Sequence, residues 1–109
     1  MPLKYKIKQI RKRDGRIVPF EQNRITNAVY KAMQATQEGD LSRDPIRISE
    51  KVVQELTKRY PKDHIPSVEE IQDIVEESLI LMDSPKAAKS YILYRQERAI
   101  IREKKKIIP

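Results

Sequence analysis

Residues 10–25 read IRKRDGRIVPFEQNRI, and within this stretch the spacing of apolar residues changes from one period to another. Before it, Leu3, Tyr5 and Ile7 alternate with Lys4, Lys6 and Lys8, the period-two pattern of a half-buried strand. Asp14-Gly15 offers the positive-φ residues of a tight two-residue turn. Ile17, Val18, Pro19 and Phe20 then return from the turn. Pro19 has no N–H for a ladder, so the return strand is expected at an edge or to stop there. From Glu21 the spacing becomes helical: Ile25, Ala28, Val29, Ala32 and Met33 fall on one face. Asn23 is placed to cap that helix, and Gly39 lies just beyond its end.

Three more helices follow. The second is expected from about Ile48, with Val52, Val53, Leu56 and Tyr60 inward, and Pro61 stops it. Ser67 with Glu70 three residues on forms a capping box worth about 1 kcal/mol. Behind it Ile71, Ile74, Val75, Ser78, Leu79 and Met82 form an inner face. Ser84-Pro85 opens the fourth helix as a cap followed by proline at the first helical position. Its inner face carries Ala88, Tyr91, Ile92, Arg95 and Ala99, and it runs into a basic tail. The expected fold is α+β and mainly α: a β-hairpin cap over a four-helix bundle. One domain is expected over residues 1–103, with 104–109 as a basic tail or linker.

Composition narrows the chemistry. A chain of 109 residues fits one domain, and with 39% hydrophobic and 36% charged residues it suits a small core under a solvated surface. There is no cysteine and a single histidine, which excludes disulfides, thiolate-ligated metals and thiol catalysis. His64, beside Pro66, is expected to be a solvated loop residue. No apolar run approaches the ~18 residues of a membrane span, and the N-terminus lacks the apolar stretch of a signal peptide. The cytoplasm is therefore the expected location. No phosphate loop of the G-x-x-x-x-G-K-[ST] type occurs, so no hydrolysis of a bound nucleotide is expected and the chain is not expected to be an enzyme. The carboxylates of the third helix, Glu69, Glu70, Asp73, Glu76 and Glu77, read as dipole partners and solvated charges.

The net charge of +7 is concentrated at the two ends. Lys4, Lys6, Lys8, Arg11, Lys12, Arg13 and Arg16 face only Asp14 in the first sixteen residues. Such a block calls for an anionic partner or serves as a lysine-rich edge that discourages aggregation. Phosphate binding needs positive charge, closely approachable backbone N–H groups and preferably a helix N-terminus. Residues 10–25 supply all three: Lys12 and Arg13 beside a glycine turn, then a helix whose first turn holds Arg24.

At these residues the chain resembles a known family. Lys12-Arg13-Asp14-Gly15, the short strand ending near Phe20, and Glu21-Gln22-Asn23-Arg24-Ile25 are similar to the opening motif of the ATP-cone family. IPSVEEIQDIVEESLI at 65–80 and AAKSYILYRQERAIIRE at 87–103 continue the likeness, which spans about residues 5–103. The resemblance implies a domain that binds ATP or dATP between cap and helices, with Mg2+ arriving on the nucleotide and no metal site in the protein. It also implies a regulatory role, in which the two nucleotides switch the assembly or activity of a ribonucleotide reductase-type partner, or self-association. Carried over by position, Lys12, Arg13 and Arg24 would meet phosphates, and Asp14 and Gly15 would form the turn that places them. Ile25 would belong to the adenine pocket, Val68, Ile71 and Gln72 would line it from the opposite side, and Val18 and Glu21 would pass over the ligand. Glu97 stands where the family often has a lysine, with Arg95 and Arg98 as nearby substitutes.

Other readings of the same residues stand beside this one. Ile25, Ile71 and Val75 suit a plain core, and Tyr91 and Tyr94 suit packing as well as stacking on a base. A basic nucleic-acid-binding domain would use the same cationic hairpin, although the only Phe and Tyr5 are committed to the hairpin and its exit, leaving no stacking platform. A nucleotide-independent protein-interaction module would use a face of the bundle.

Overall fold

A computed structural model describes residues 5–107 of the chain. Two short strands, β1 (Gln9–Arg11) and β2 (Ile17–Pro19), precede four helices: α1 (Gln22–Thr36), α2 (Asp44–Arg59), α3 (Val68–Leu81) and α4 (Pro85–Ile107). Each helix packs on its neighbours in a ring, α1 against α2 and α4, and α3 against α2 and α4. The fold is thus the expected α+β cap over a four-helix bundle. The core is one cluster, in which Val29, Met33, Ile48, Val52, Leu56, Ile74, Val75 and Leu79 are fully buried.

The hairpin differs in detail from the reading of its sequence. The strands pair antiparallel with Gln9 opposite Pro19, Ile10 opposite Val18 and Arg11 opposite Ile17. Tyr5 to Lys8 lies outside the ladder, and Leu3 and Lys4 lie outside the described residues. The alternation there is real as burial, since Ile7 is buried while Lys6 and Lys8 are exposed. It did not report pairing, because the partner strand ends: Phe20 N donates to Lys8 O at 2.9 Å, and the chain then turns into α1. Tyr5 instead packs on the end of α2, its hydroxyl donating to Tyr60 O at 2.8 Å.

The turn holds three residues, where two were expected. Lys12 N donates to Arg16 O at 2.7 Å and Gly15 N to Lys12 O at 2.9 Å, so Arg13, Asp14 and Gly15 form the loop. Gly15 alone takes positive φ, +91°, as in a type I turn followed by a left-handed residue. Asp14 keeps its place because its carboxylate accepts from Arg16 N at 3.1 Å and Arg16 Nε at 2.7 Å. These bonds, the backbone one first, hold its carboxyl below the usual range.

Helix ends also depart from expectation. Asn23 is inside α1, and Glu21 occupies the cap position without a side-chain cap bond. At the other end Gln37 is left-handed, with φ +53°. Gly39 follows at φ +81°, where a Cβ would collide with Met33 Cε and lie 2.9 Å from Asp44 Oδ2. Helix α2 begins at Asp44, a turn earlier than expected, because Pro45 starts a helix as readily as it stops one. The start of α4 is capped from a distance: Glu38 accepts from Ala87 N at 2.9 Å and Lys86 N at 3.3 Å. Ser84, the expected cap, donates to Met82 O at 3.4 Å. A carboxylate satisfies two N–H groups there and also meets the positive end of the helix dipole.

Helix α4 has 23 residues against 14 to 16 in the others, so it outruns the bundle. Ala87, Ala88 and Tyr91 are buried, but Ala99, expected inward, is exposed because the helix extends past its neighbours there.

Candidate functional site

A cavity of about 320 Å³ lies between the hairpin and helices α1, α3 and α4, within the size range of small-molecule pockets. Its position follows from how the cap is tied down. Arg11 N donates to Pro66 O at 2.9 Å, and Arg11 pairs in parallel with Ser67. That bridge fixes β1 against the start of α3. On the other side β2 runs directly into α1, so the hairpin spans the gap between two helix N-termini.

The floor is apolar. The cross-strand pair Ile10 and Val18 faces inward from the hairpin, with Phe20 at its exit. Ile25 and Ala28 come from α1, Val68, Ile71 and Val75 from α3, and Tyr91 from α4. Tyr91 is 8% exposed, and burial pushes its phenol up to about 12, so it is neutral at any physiological pH. The rim is polar: Lys12, Glu21, Arg24 and Gln72 surround the mouth. Glu21 and Arg24 pair across one turn at 2.9 Å.

Lys12, Val18, Glu21, Arg24, Ile25, Val68, Ile71 and Gln72, all named from the sequence, come together on this one cavity. Arg13, Asp14 and Gly15 do not line it. Asp14 and Gly15 form the turn, and Arg13 reaches sideways to α3. Its Nε lies 2.6 Å from Glu69 Oε1, and its Nη2 donates to Gln72 Oε1 at 3.2 Å. Neither Arg95, Glu97 nor Arg98 lines the cavity. Arg95 is instead gathered in by α3, close to Glu76, 3.0 Å from Asp73 Oδ1 and 3.4 Å from Glu69 Oε2.

Ile10, Pro19, Phe20, Ala28, Val75 and Tyr91 also line the cavity and were not assigned to the site. Two of them carried a readable signal: Ala28 follows Ile25 by three residues and Val75 follows Ile71 by four, the spacing of one helix face. Tyr91 was read on the inner face of the fourth helix, suited to packing as well as to stacking on a base, and the packing of α4 on α1 and α3 brings it to the floor.

The two helix starts at the cavity differ electrostatically. Ser67 caps α3, accepting from Glu70 N at 3.1 Å, while Glu70 Oε1 accepts from Ser67 N at 2.8 Å. His64 adds a contact at 2.9 Å to the same carboxylate and stacks on Tyr60 with ring centroids 4.5 Å apart. His64 is therefore a half-buried support of this cap, where a solvated loop residue was expected. Burial opposes the charge on Glu70, but the hydrogen bonds from Ser67 N and His64 outweigh it and hold the carboxyl below its usual value. Helix α1 has no side-chain cap and no acidic residue in its first turn. Its positive end, beside Lys12 and Arg24, can receive an anion. The arrangement suits a flat apolar group on the floor and phosphates at the rim.

Beside it, α1 and α4 border a groove of about 520 Å³ that shares Arg24, Ala28 and Tyr91 with the cavity. Among the described residues no group of three or more histidines and carboxylates is placed to hold a metal ion. No helix among them is long and apolar enough to cross a membrane.

A family model for the ATP cone domain matches residues 8–100. The chain is 46% identical to the vitamin B12-dependent ribonucleoside-diphosphate reductase of Thermoplasma acidophilum, over 94% of this chain and 13% of that protein. It is 34% identical to the ribonucleoside-diphosphate reductase subunit alpha of Chlamydia muridarum, over 85% of this chain and 10% of that one. With the anaerobic ribonucleoside-triphosphate reductase of Haemophilus influenzae the identity is 36%, over 86% and 13%. The chain thus spans only about an eighth or less of the length of these relatives.

Proposed function

This chain belongs to the ATP-cone family, and on that premise we propose that it is a regulatory module that binds ATP or dATP in the cavity beneath the hairpin. The adenine lies on the apolar floor, against Ile25, Ile71 and Val18. The phosphates lie at the rim, on Lys12, Arg24 and the open start of α1. Magnesium comes with the triphosphate, held by its oxygens and not by a protein cluster. The module performs no chemistry on the nucleotide. The observation that carries the reading is the meeting, on one cavity, of an apolar floor, two rim cations and an uncapped helix N-terminus.

A bound nucleotide acts on a partner only if the partnered and free states bind it with different affinity, and a coupling of ~1–3 kcal/mol is enough. The partner is the catalytic part of a ribonucleotide reductase, or a second copy of the module. The nucleotide-binding unit is residues 1–103, with 104–109 a basic tail or linker, and its setting is the cytoplasm.

Thermal melts with ATP, dATP, GTP and no ligand test the reading. A ligand at 100 times its Kd stabilises by about 2.7 kcal/mol, several degrees for a domain of this size. A rise with ATP or dATP but not with GTP is expected. No rise with any nucleotide at millimolar concentration would remove the assignment. A polyanion contact in its place would show a steep loss of DNA affinity with added salt.

A further inference from the structure

Arg13 belongs by sequence to the phosphate-binding turn, yet its guanidinium is already engaged. Its Nε is 2.6 Å from Glu69 Oε1 and its Nη2 is 3.2 Å from Gln72 Oε1. Gln72 lines the cavity, so Arg13 sits one side chain away from the rim and Lys12, its neighbour in sequence, sits on it. Moving Arg13 onto a phosphate requires it to leave Glu69. The carboxylate it leaves has a second cation within reach, since Arg95 Nη2 is 3.4 Å from Glu69 Oε2. Arg95 is held in place by Asp73 and Glu76 and is largely buried.

We propose that Glu69 is a specificity-determining residue of this site: it competes with the ligand's phosphates for Arg13 and so sets how strongly affinity depends on phosphate number. The inference rests on the nucleotide reading above. In the empty site Glu69 neutralises Arg13 and ties the hairpin tip to α3. When a triphosphate arrives, Arg13 exchanges Glu69 for phosphate, and Glu69, until then shared between the two cations, is left to Arg95 on α4 alone. Each added phosphate strengthens the pull on Arg13, and Glu69 opposes it. The same exchange changes an ion pair between α3 and α4 when the site fills, which gives the bundle a way to register the ligand.

The consequence runs against simple expectation, because removing a group beside the site should tighten binding. Glu69→Gln keeps the size of the side chain and one acceptor oxygen and removes the competing charge. Both partners are substantially exposed, so the effect is modest, about two- to fivefold.

The experiment is calorimetric titration of the wild-type chain and Glu69→Gln with ATP, ADP and AMP, repeated in an Arg13→Ala background. A melt without ligand confirms that each variant folds. Glu69→Gln is expected to tighten ATP by two- to fivefold and AMP by less, and the gain should vanish once Arg13 is gone. Wild-type binding of ATP with an unchanged or weakened Glu69→Gln variant overturns the competition and leaves the nucleotide site standing. An equal gain for all three ligands, or a gain that survives Arg13→Ala, shows a general field effect and also overturns it. Absence of nucleotide binding to the wild type removes this inference together with the function on which it rests.

Discussion

Two helices begin at the mouth of the same cavity, and the chain treats their ends in opposite ways. At α3 the first N–H groups are closed by Ser67 and Glu70, with His64 behind the carboxylate. At α1 the residue in the cap position, Glu21, turns its carboxylate to Arg24 and gives the helix no cap bond. An unsatisfied helix start is costly unless something else satisfies it, and its partial positive charge favours an anion. The closed end therefore fixes the wall of the cavity, and the open end is where the proposed phosphates would gain most.

The comparison breaks most severely if the shared floor is charged. Ile71 under the closed end and Ile25 under the open one are 6% and 7% exposed. An aspartate at either position buries a carboxylate without a partner, at a cost of several kcal/mol. Ile71→Asp and Ile25→Asp should both lower the melting temperature sharply and abolish stabilisation by ATP, with circular dichroism reporting how much helix survives. If one variant folds and still binds ATP, the two helices do not share one site.

The next effect belongs to the rim on the open side. Lys12→Ala removes the charge proposed to meet phosphate, and bonds of that kind are worth about 1.5–3 kcal/mol, or roughly tenfold or more in affinity. Arg13→Ala should cost less, because Arg13 must first leave Glu69 while Lys12 already lines the cavity. Titration with ATP would read both losses, and a larger loss at Arg13 would reverse this ranking.

The same contrast shows what the sequence could reveal. The closed end was legible: Ser67 and Glu70 stand three apart before an apolar face, and that local spacing is the capping box. The open end was not, since Asn23 is the better capping residue by type but the helix starts before it. Whether Glu21 caps depends on where β2 releases the chain, and that is tertiary. The strand reading failed at residues 5–8 for a related reason. Period-two burial survives wherever a chain lies extended on a core, whereas pairing also needs a partner that has not yet turned into a helix. The apolar floor could be read from helix spacing in α1 and α3, and the family likeness pointed to much of the rim. Glu38 as the remote cap of α4 and the engagement of Arg13 with Glu69 depend on contacts across 48 or more residues. No local pattern records them.

Removing the cap from the closed end separates structure from binding. Ser67→Ala leaves Glu70 N without its acceptor and should cost about 1 kcal/mol of stability, a fall of roughly 4–8 °C for a domain near this size. Its affinity for ATP, measured well below the melt, should stay within twofold, because the cavity is lined by Val68 and Ile71 and not by Ser67. A stable variant with weakened ATP binding would mean that the α3 start, too, faces the ligand.

The smallest effect comes from closing the open end. Glu21→Ser places a capping hydroxyl where the helix now has none, and Glu21→Ala removes the same ion pair to Arg24 without adding a cap. The difference between the two isolates the cap. Without nucleotide, Glu21→Ser should melt above Glu21→Ala, by the low end of the capping range, about 0.5 kcal/mol. With ATP the gap should narrow, because hydroxyl and phosphate compete for the same N–H groups. A gap that persists unchanged in saturating ATP would mean that the phosphates do not use the start of α1. The cations of the rim would then hold them without it, and the open end of α1 would need another explanation.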